Sequence, residues 1–174
     1  TKQVELGLKF DRGRLGGGIA LFQSRMPMAG VDSDRVFGIV GHRRNRGLEM
    51  TAYGLAAPGW KVLGGLSLLD SDVEGRDAIG APDVQANVGV EWSPSGWRGF
   101  ALEGRAIYTS SQYADAANTQ KLPSWARLDL GARYVLPIGG RQLLTLRARI
   151  ENVADKDYWA SAGGYPGAGY LTLG

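Results

Sequence analysis

Apolar and polar side chains alternate along most of this chain, which is the pattern of β-strands. In the clearest case, one set of positions is apolar and the set between them is mostly charged: Leu144, Leu146, Ala148 and Ile150 against Thr145, Arg147, Arg149 and Glu151. Successive side chains of a strand point to opposite faces, so this strand has one apolar and one charged face. A soluble sandwich would bury the apolar face, whereas an outer-membrane barrel turns it to lipid and the charges to its lumen. Alternation alone does not choose between them.

The same alternation predicts about eight strands. Helical periodicity is nowhere sustained for three turns, so we predict an all-β, antiparallel fold. The predicted strands are residues 2–10, 15–25, 46–55, 60–70, 83–92, 97–110, 125–135 and 142–151. Proline and glycine mark the tight turns between paired strands, as at Pro58 and Gly59.

The connections between predicted strands alternate in length. Turns of a few residues lie near Asp11, Pro58, Pro94 and Gly139. Much longer segments are predicted at residues 26–43, 71–82, 111–122 and 153–170. Bacterial transmembrane barrels have short periplasmic turns and long extracellular loops, whereas a soluble sandwich has no reason to sort its connections by length. This asymmetry favours the transmembrane barrel.

Five aromatic residues are predicted to lie near strand ends: Trp60, Trp92, Trp97, Trp125 and Tyr134. Transmembrane barrels carry girdles of aromatic side chains at the two membrane interfaces. We therefore interpret this set as an interfacial girdle, although aromatic residues also stabilise the strand ends of soluble proteins.

Composition adds mainly exclusions. The 27 glycines suit a twisted or curved sheet, and the absence of cysteine rules out disulfides and thiolate metal sites. No apolar run approaches the ~18 residues of a membrane-spanning helix, and the N-terminus lacks the layout of a signal peptide, so we expect a mature or truncated chain. The net charge is only +3, and no nucleic-acid-binding motif accompanies the basic residues at 42–46. Nucleic acid is not an expected partner.

Two segments resemble a known family. The sequence ENVADKDYWAS at Glu151–Ser161, followed by YLTLG at Tyr170–Gly174, is similar to the C-terminal part of TonB-dependent outer-membrane receptors, particularly those for ferric siderophores. The sequence RNRGLEM at Arg44–Met50 is similar to a segment that opens a strand in the same barrels. Taken with the alternation of strands and loops, the resemblance extends over essentially the whole chain.

The resemblance implies a barrel of about 22 strands around an N-terminal plug, which a TonB partner grips from the periplasm. This chain departs from that pattern. We find no plug or partner-binding box, only about eight strands, and no final strand after Gly174. We therefore expect residues 1–174 to be one partial barrel domain, without the plug domain and the final strand.

Catalytic and metal-binding chemistry has little support. His42 is the only histidine, and we place it in a long loop as a solvated residue. The acids at Asp70, Asp72, Glu74 and Asp77 lack the spacing of a calcium loop. We expect no enzymatic activity and no protein-bound cofactor, because the resemblance implies that iron arrives as a siderophore chelate.

Two sets of residues are predicted to carry function. The first shares the charged faces of the strands and is interpreted as a lumen-facing set of ion pairs that also holds the plug: Glu49, Glu91, Glu103, Arg105, Arg127, Asp129, Arg133, Arg147, Arg149 and Glu151. The second would bind an anionic or catechol-rich chelate at the extracellular mouth by charge and stacking: Arg43, Arg44, Tyr113, Tyr158, Trp159 and Tyr165. Loop packing or lipopolysaccharide contact is the alternative role for each member of the second set.

We therefore expect an outer-membrane receptor that imports a ferric siderophore and is energised by TonB through the plug. Its other expected partners are outer-membrane lipid and lipopolysaccharide. One alternative is a complete eight-stranded barrel with an adhesin or structural role, in which the strand at Val4 would pair with the strand at Leu146. Another is an outer-membrane hydrolase, which would depend on His42.

Overall fold

A computed structural model describes residues 1–165 and 168–173, with side chains through residue 163. Its elements are all strands: β1 Lys2–Asp11, β2 Leu15–Val31, β3 Phe37–Ala57, β4 Trp60–Val73, β5 Arg76–Asp77, β6 Val84–Trp92, β7 Phe100–Thr109, β8 Gln112–Tyr113, β9 Lys121–Leu122, β10 Trp125–Gly139, β11 Gln142–Ile150, β12 Trp159–Tyr165 and β13 Ala168–Leu173. Among the residues that the structure describes, we find no helical segment with the length and hydropathy that a bilayer crossing requires.

Eight strands form the main antiparallel sheet, in the order β1-β2-β3-β4-β6-β7-β10-β11, and the short β5 pairs with β4. The hairpins β8-β9 and β12-β13 form two separate small sheets. Neighbouring strands of this sheet therefore also follow one another along the chain, once the short strands β5, β8 and β9 are set aside. This arrangement confirms the all-β, antiparallel prediction, because alternation with period two reports directly on a two-faced sheet.

The strand register assigns each side chain to one of two continuous faces, because directly paired residues of an antiparallel sheet share a face. On one face, which we call the charged face, Glu49 is opposite Ser67, Glu91 is opposite Glu103, and Arg133 is opposite Arg147. On the other, which we call the apolar face, Leu48 is opposite both Leu21 and Leu68. The two faces continue from β1 to β11.

Nothing covers the apolar face in the described chain. Its side chains remain largely exposed, for example Val4 at 76%, Leu6 at 73% and Ile150 at 67%. The buried hydrophobic side chains are few, and none belongs to this face: Ala78, Ala101, Leu122, Tyr158 and Ala162. A soluble sandwich would pack a second layer on these residues, so the single layer favours burial of the apolar face in lipid.

The prediction of a long loop at residues 26–43 is wrong, and so is the placement of His42 in it. β2 continues to Val31 and β3 begins at Phe37, so these residues form an extended hairpin with a connection of five residues, 32–36. His42 lies in β3 opposite Pro27. The predicted loop at 153–170 is also largely strand, because β12 and β13 lie there.

The sorted connection lengths otherwise hold. The connections at 12–14, 58–59, 93–99 and 140–141 lie at one end of the sheet, which we call the short-turn end. The connections 74–83 and 110–124, together with the segment that follows β11, lie at the opposite end, which we call the long-connection end. The tip of the β2-β3 hairpin projects from this end as well.

The aromatic residues divide between the two ends. Trp60 and Trp92 pair on the apolar face at the short-turn end, with ring centroids 5.8 Å apart. Tyr134 is on the same face opposite Phe100, against which Trp97 packs at 5.1 Å. Trp125 does not belong to this girdle, because it is opposite Thr109 on the charged face at the long-connection end.

The complete eight-stranded barrel is wrong for the described chain. It requires β1 to pair with β11, yet in the described residues β1 pairs only with β2 and β11 pairs only with β10. Both strands therefore present a free backbone edge. Closed barrels in membranes leave no such edge, so further strands would be needed to satisfy these backbone groups.

Candidate functional site

The two long internal connections are tied together through Asn118. Its Oδ1 accepts a hydrogen bond from the Asp77 backbone N at 2.9 Å, and its Nδ2 donates to the Asp77 backbone O at 3.0 Å. The backbone N of Gly80 also donates to the carbonyl of Tyr113 at 3.0 Å. The segments 74–83 and 110–124 therefore form one layer over the long-connection end.

Asp115 organises the turn between β8 and β9. Its carboxylate accepts hydrogen bonds from the backbone N of Gln120 at 2.7 Å and from Thr119 N and Oγ1 at 2.9 and 2.8 Å. The bond from Gln120 is the main reason why the pKa of Asp115 lies below its ordinary value. On the paired strands beside this turn, the ammonium of Lys121 lies 4.9 Å from the centroid of the Tyr113 ring, which is a cation–π contact.

A polar network lies on the charged face where β2, β3 and β4 approach this end. The Arg43 Nε donates to Asn45 Oδ1 at 3.1 Å and to Ser71 Oγ at 3.0 Å. The Ser71 hydroxyl donates to Asn45 at 2.6 Å, and the Asn45 Nδ2 donates to Ser24 Oγ at 3.3 Å. These bonds use the Nε of Arg43, and its terminal guanidinium nitrogens, which make no hydrogen bond to the described residues, can contact an incoming anion.

An aromatic stack joins the segment after β11 to β10. The ring of Tyr158 lies 4.3 Å from that of Trp125 at an interplanar angle of 22°. Arg127 donates to the Tyr158 hydroxyl at 3.3 Å and to Asp129 Oδ2 at 3.0 Å, and the Asn152 backbone N donates to Asp129 Oδ1 at 3.0 Å. Asp129 is 2% exposed, so these charge-assisted bonds offset its desolvation.

Two N–H donors of this stack have no hydrogen-bond partner among the described residues. Trp125 Nε1 and Arg127 Nε are both buried without a hydrogen bond.

Deeper on the charged face, Glu91 bridges two cations. Lys61 Nζ lies 2.9 Å from its Oε1, and Arg133 Nη2 lies 2.9 Å from its Oε2. A cleft of ≈600 Å³ opens beside this bridge and includes Lys61, Glu91, Arg105 and Arg149 in its lining. Apolar residues such as Val62, Leu63 and Leu130 make up the rest of its lining together with glycines.

All ten residues of the predicted lumen set lie on the charged face or, for Glu151, directly after β11 on the same alternation. The structure pairs several of them, as in Arg127–Asp129, Arg133–Glu91 and Arg149–Glu151. Within the described residues, Glu49, Arg105 and Arg147 have no ion-pair partner. That this face surrounds a lumen stays a prediction.

The predicted chelate-binding residues are not all brought together. Arg43 lies in the polar network on the charged face, whereas Arg44 lies on the apolar face, 3.9 Å from Asp72. Tyr158 is buried in its stack, while Trp159 beside it is 38% exposed. The side chain of Tyr165 is outside the described residues. The role of this set in binding stays a prediction.

The described residues include no cluster suited to bind a metal ion, and His42 is not part of the polar network. Among the described residues, no group of three histidine, cysteine or acidic side chains could hold a metal ion. The backbone N of His42 donates to Glu74 Oε1 at 2.8 Å, and the register puts its side chain on the same side of β3 as Arg44, away from the polar network of Arg43.

Sequence reasoning missed the residues that connect the elements. Asn118, Asn45 and Ser71 are uncharged, so a search for charge and aromatic clusters passes over them. Asn118 carried one usable signal, since asparagine tolerates the left-handed backbone conformation that it adopts here, at φ 56°.

Residues 1–153 match the family model described as TonB dependent receptor-like, beta-barrel. The chain is 39% identical over 170 residues to the ferrichrome receptor FcuA of Yersinia enterocolitica, an alignment that covers 92% of this chain and 22% of that protein. It is 25% identical over 185 residues to the probable TonB-dependent siderophore receptor PiuA of Acinetobacter baumannii, covering 93% and 24%.

The fold is similar to that of BauA, the ferric preacinetobactin receptor from Acinetobacter baumannii. The two superpose with a TM-score of 0.84 at 31% identity, covering 99% of this chain and 27% of that one. This chain therefore spans only 22% to 27% of the length of these relatives.

Proposed function

This chain belongs to the TonB-dependent receptor β-barrel family, and we propose that the protein imports a ferric siderophore across the bacterial outer membrane. TonB-dependent receptors are outer-membrane receptors and transporters rather than enzymes. Their siderophore-specific members bind ferric siderophores and interact with TonB. The relatives named as ferrichrome and ferric preacinetobactin receptors support a siderophore as the substrate class.

The two faces of the sheet have separate roles in this proposal. The apolar face contacts outer-membrane lipid, because its leucine and valine side chains have no protein cover in the described chain. The charged face lines the lumen, where Arg105 and Arg147, which have no ion-pair partner among the described residues, are available to a plug. The eight main strands are then one sector of a larger barrel, which accounts for the free edges of β1 and β11.

The long-connection end is the extracellular mouth in this proposal. The observation that carries the proposed function is the position of three groups at this end: Arg43, the Lys121–Tyr113 pair, and the exposed ring of Trp159 beside the Trp125–Tyr158 stack. Guanidinium groups suit anionic chelates, and aromatic rings suit catechol-type groups by stacking. The iron is cargo within the chelate, so the protein needs no metal ligands of its own.

Energy coupling is part of the same proposal. A plug inside the barrel would contact TonB and would bear on the charged face through ion pairs and hydrogen bonds. Glu49, Arg105 and Arg147 are the first residues to examine, since they have no ion-pair partner among the described residues. Outer-membrane lipid and lipopolysaccharide are proposed as surrounding partners, not as cargo.

Deletion of the full-length gene tests the import of siderophores. The deletion strain is grown under iron limitation with one ferric chelate at a time, covering hydroxamate, catecholate and carboxylate classes. We expect growth to fail with one class and to return when the gene is supplied on a plasmid. Unchanged uptake of every chelate would contradict the proposal.

Measurement of chelate binding to the purified receptor then tests whether the long-connection end contains the binding site. The variant Arg43→Gln removes a cation from the polar network and should weaken binding of the transported chelate by roughly tenfold, the range of one charge-assisted hydrogen bond. The matched control is Arg98→Gln, which removes an exposed arginine from the connection 93–99 at the short-turn end. Equal affinity in the two variants would place the binding site elsewhere.

A further inference from the structure

Five charged side chains form one cross-strand row on the apolar face, near the long-connection end. Lys2 on β1 is opposite Arg25 on β2, and Arg25 is opposite Arg44 on β3. The row continues with Asp72 on β4, opposite Arg44, and with Asp77 on β5, opposite Asp72. We call these five residues the charge row. Its cations all lie at one end and its acids at the other.

The charge row is poorly compensated within the described chain. Arg44 and Asp72 are a loose pair, with Nε 3.9 Å from Oδ1. Lys2, Arg25 and Asp77 have no ion-pair partner in the part of the chain that the structure describes. Lys2 and Asp77 are four strand spacings apart, or about 19 Å, so they cannot compensate each other. A partner that compensates both ends must place acids opposite Lys2 and Arg25 and a cation opposite Asp77.

Beyond the charge row, the projecting β2-β3 hairpin presents an apolar patch on the same face. Ala29 is opposite Ile39, and Val31 is opposite Phe37. The three larger side chains are well exposed, with Val31 at 62%, Phe37 at 74% and Ile39 at 69%. Val31 follows Arg25 on the same alternation, about 20 Å further along the strand. The charge row therefore separates this patch from the apolar band of the sheet, and exposed apolar patches outside a lipid-facing band mark protein contacts.

We propose that this surface binds a second copy of the receptor. Two copies in one outer membrane have the same orientation, so the two-fold axis that relates them lies along the membrane normal. With the axis at β3, β1 of one copy faces β5 of the other, and β2 faces β4. Lys2 then faces Asp77 of the second copy, Arg25 faces its Asp72, and the apolar patches of the two hairpins meet at the axis.

The order of charges along the row selects this partner. A row that runs from cations to acids is complementary to itself under a two-fold rotation, because the rotation reverses its order. An anionic lipid head group would compensate Lys2 and Arg25 and leave Asp77 uncompensated. The long, flexible side chains of Lys2 and Arg25 can reach the acids of the second copy even where the two sheets cross at an angle.

The surface also has the usual composition of a protein interface. An apolar centre, here the patch on the hairpin, is surrounded by a charged rim, here the charge row. The inference rests on the proposed function only because that function places the apolar face on the outside of a barrel in the outer membrane.

Charge reversal in the purified full-length receptor tests the interface. The receptor is freed of lipopolysaccharide, and its mass in detergent is followed over a range of concentrations by analytical ultracentrifugation. We expect a dimer, and Lys2→Glu or Asp77→Lys alone should weaken it about tenfold, because like charges then face each other at two symmetry-related places. The Asp77 side chain can be replaced, since the bonds to Asn118 use only its backbone atoms. The matched control, Arg12→Glu at the short-turn end, should dimerise normally.

A mixture of the two variants separates the interface from effects on folding. One copy with Lys2→Glu and one with Asp77→Lys again place opposite charges at both positions, so the mixed dimer should regain the affinity of the unmodified receptor. A defect in the folding of either chain predicts no such rescue. A monomer at every concentration, or no preference for the mixed dimer, would overturn the proposal.

A cysteine on the hairpin tests the position of the axis in the membrane. Phe37→Cys should form a disulfide between two copies on mild oxidation of isolated outer membranes, because residues near a two-fold axis approach their own symmetry mates. The control is Thr51→Cys on the charged face of β3, which should stay reduced. Absence of the Phe37→Cys crosslink, or equal crosslinking of the two variants, would also overturn the proposal. None of these measurements requires a chelate or transport, so failure of the growth assay and failure of this interface are distinguishable.

Discussion

Tyr158 stacks on Trp125 with ring centroids 4.3 Å apart, and this contact holds the segment after β11 against the charged face of β10. Tyr158 is 8% exposed, so its ring is part of the small buried core of the described chain. The contact makes Tyr158 a structural anchor and leaves its neighbour Trp159 as the more accessible aromatic side chain at the long-connection end.

Removal of this anchor should loosen the packing of the segment after β11 on β10. We expect Tyr158→Ala to destabilise the full-length receptor by about 3 kcal/mol, the usual cost of deleting a buried aromatic ring. Tyr158→Phe keeps the stack and loses only the hydrogen bond from Arg127, so it should cost about 1 kcal/mol. Urea unfolding in detergent measures both. Equal costs for the two variants would show that the ring packing contributes nothing.

Substitution of Asn118 should separate the two long connections. Asn118→Gly preserves the left-handed backbone conformation and removes both amide hydrogen bonds to Asp77. Hydrogen exchange at the Asp77 amide should then accelerate roughly tenfold, as expected for the loss of about one hydrogen bond.

The control for this variant is Asn118→Asp, which preserves the oxygen that accepts from the Asp77 amide. Protection of the Asp77 amide should survive in this variant. If Asn118→Gly leaves exchange at Asp77 unchanged, the two connections are held together by other contacts, such as the bond from Gly80 to Tyr113.

The turn held by Asp115 should be sensitive to acid. Hydrogen bonds from the Gln120 and Thr119 backbone lower the pKa of this carboxyl from its ordinary value of 3.8. A group with a lowered pKa contributes its stability above the ordinary value and loses it as the pH falls through the folded value. The Gln120 amide should therefore stay protected above about pH 4 and lose protection in stronger acid.

Asp115→Asn is the matched variant, since its side chain does not titrate. Hydrogen exchange at Gln120, corrected for the intrinsic pH dependence, should show no acid step in this variant. A step that persists there would assign the acid sensitivity to another group.

Loss of Glu91 should leave Lys61 without its counter-charge and Arg133 with only the more distant Glu103, whose Oε1 lies 3.9 Å from the Arg133 Nε. We expect Glu91→Gln to lower the free energy of unfolding by about 1 to 2 kcal/mol, because Lys61 and Arg133 then face each other without the carboxylate between them. Glu49→Gln is the control on the same face, and Glu49 has no ion-pair partner among the described residues. Urea unfolding should separate the two variants; equal midpoints would show that the bridge is energetically neutral.

The main sheet was predictable because one of its faces carries apolar side chains and the other carries charged and polar ones. Each of the eight main strands overlaps a predicted segment, since apolar and polar positions alternate wherever one face is apolar and the other is charged. The hairpin at 26–43 was missed for the converse reason. Between residues 26 and 43, apolar side chains no longer keep to alternate positions, and Pro27, Gly30 and Gly41 are typical of loops.

The candidate site was predictable only in part. The alternation of side chains along each strand was enough to assign Glu91, Arg133 and Arg149 to the charged face. It could not show that Glu91 bridges Lys61 and Arg133, because the register between neighbouring strands depends on turn geometry and bulges. The sequence pattern also placed Arg43 and Arg44 together in a loop. Once β3 is known to include both residues, their side chains must point to opposite faces of the sheet.

By itself, the sequence determined that the chain is a two-faced antiparallel sheet with sorted connections, because side-chain alternation is a local property of each strand. Only the tertiary structure decided which residues meet across strands and connections. It buried Tyr158 on Trp125, tied Asp77 to Asn118, and aligned Lys2, Arg25 and Arg44 in one row. Those contacts join residues far apart in the chain, and strand register and loop packing, which no local pattern encodes, determine them.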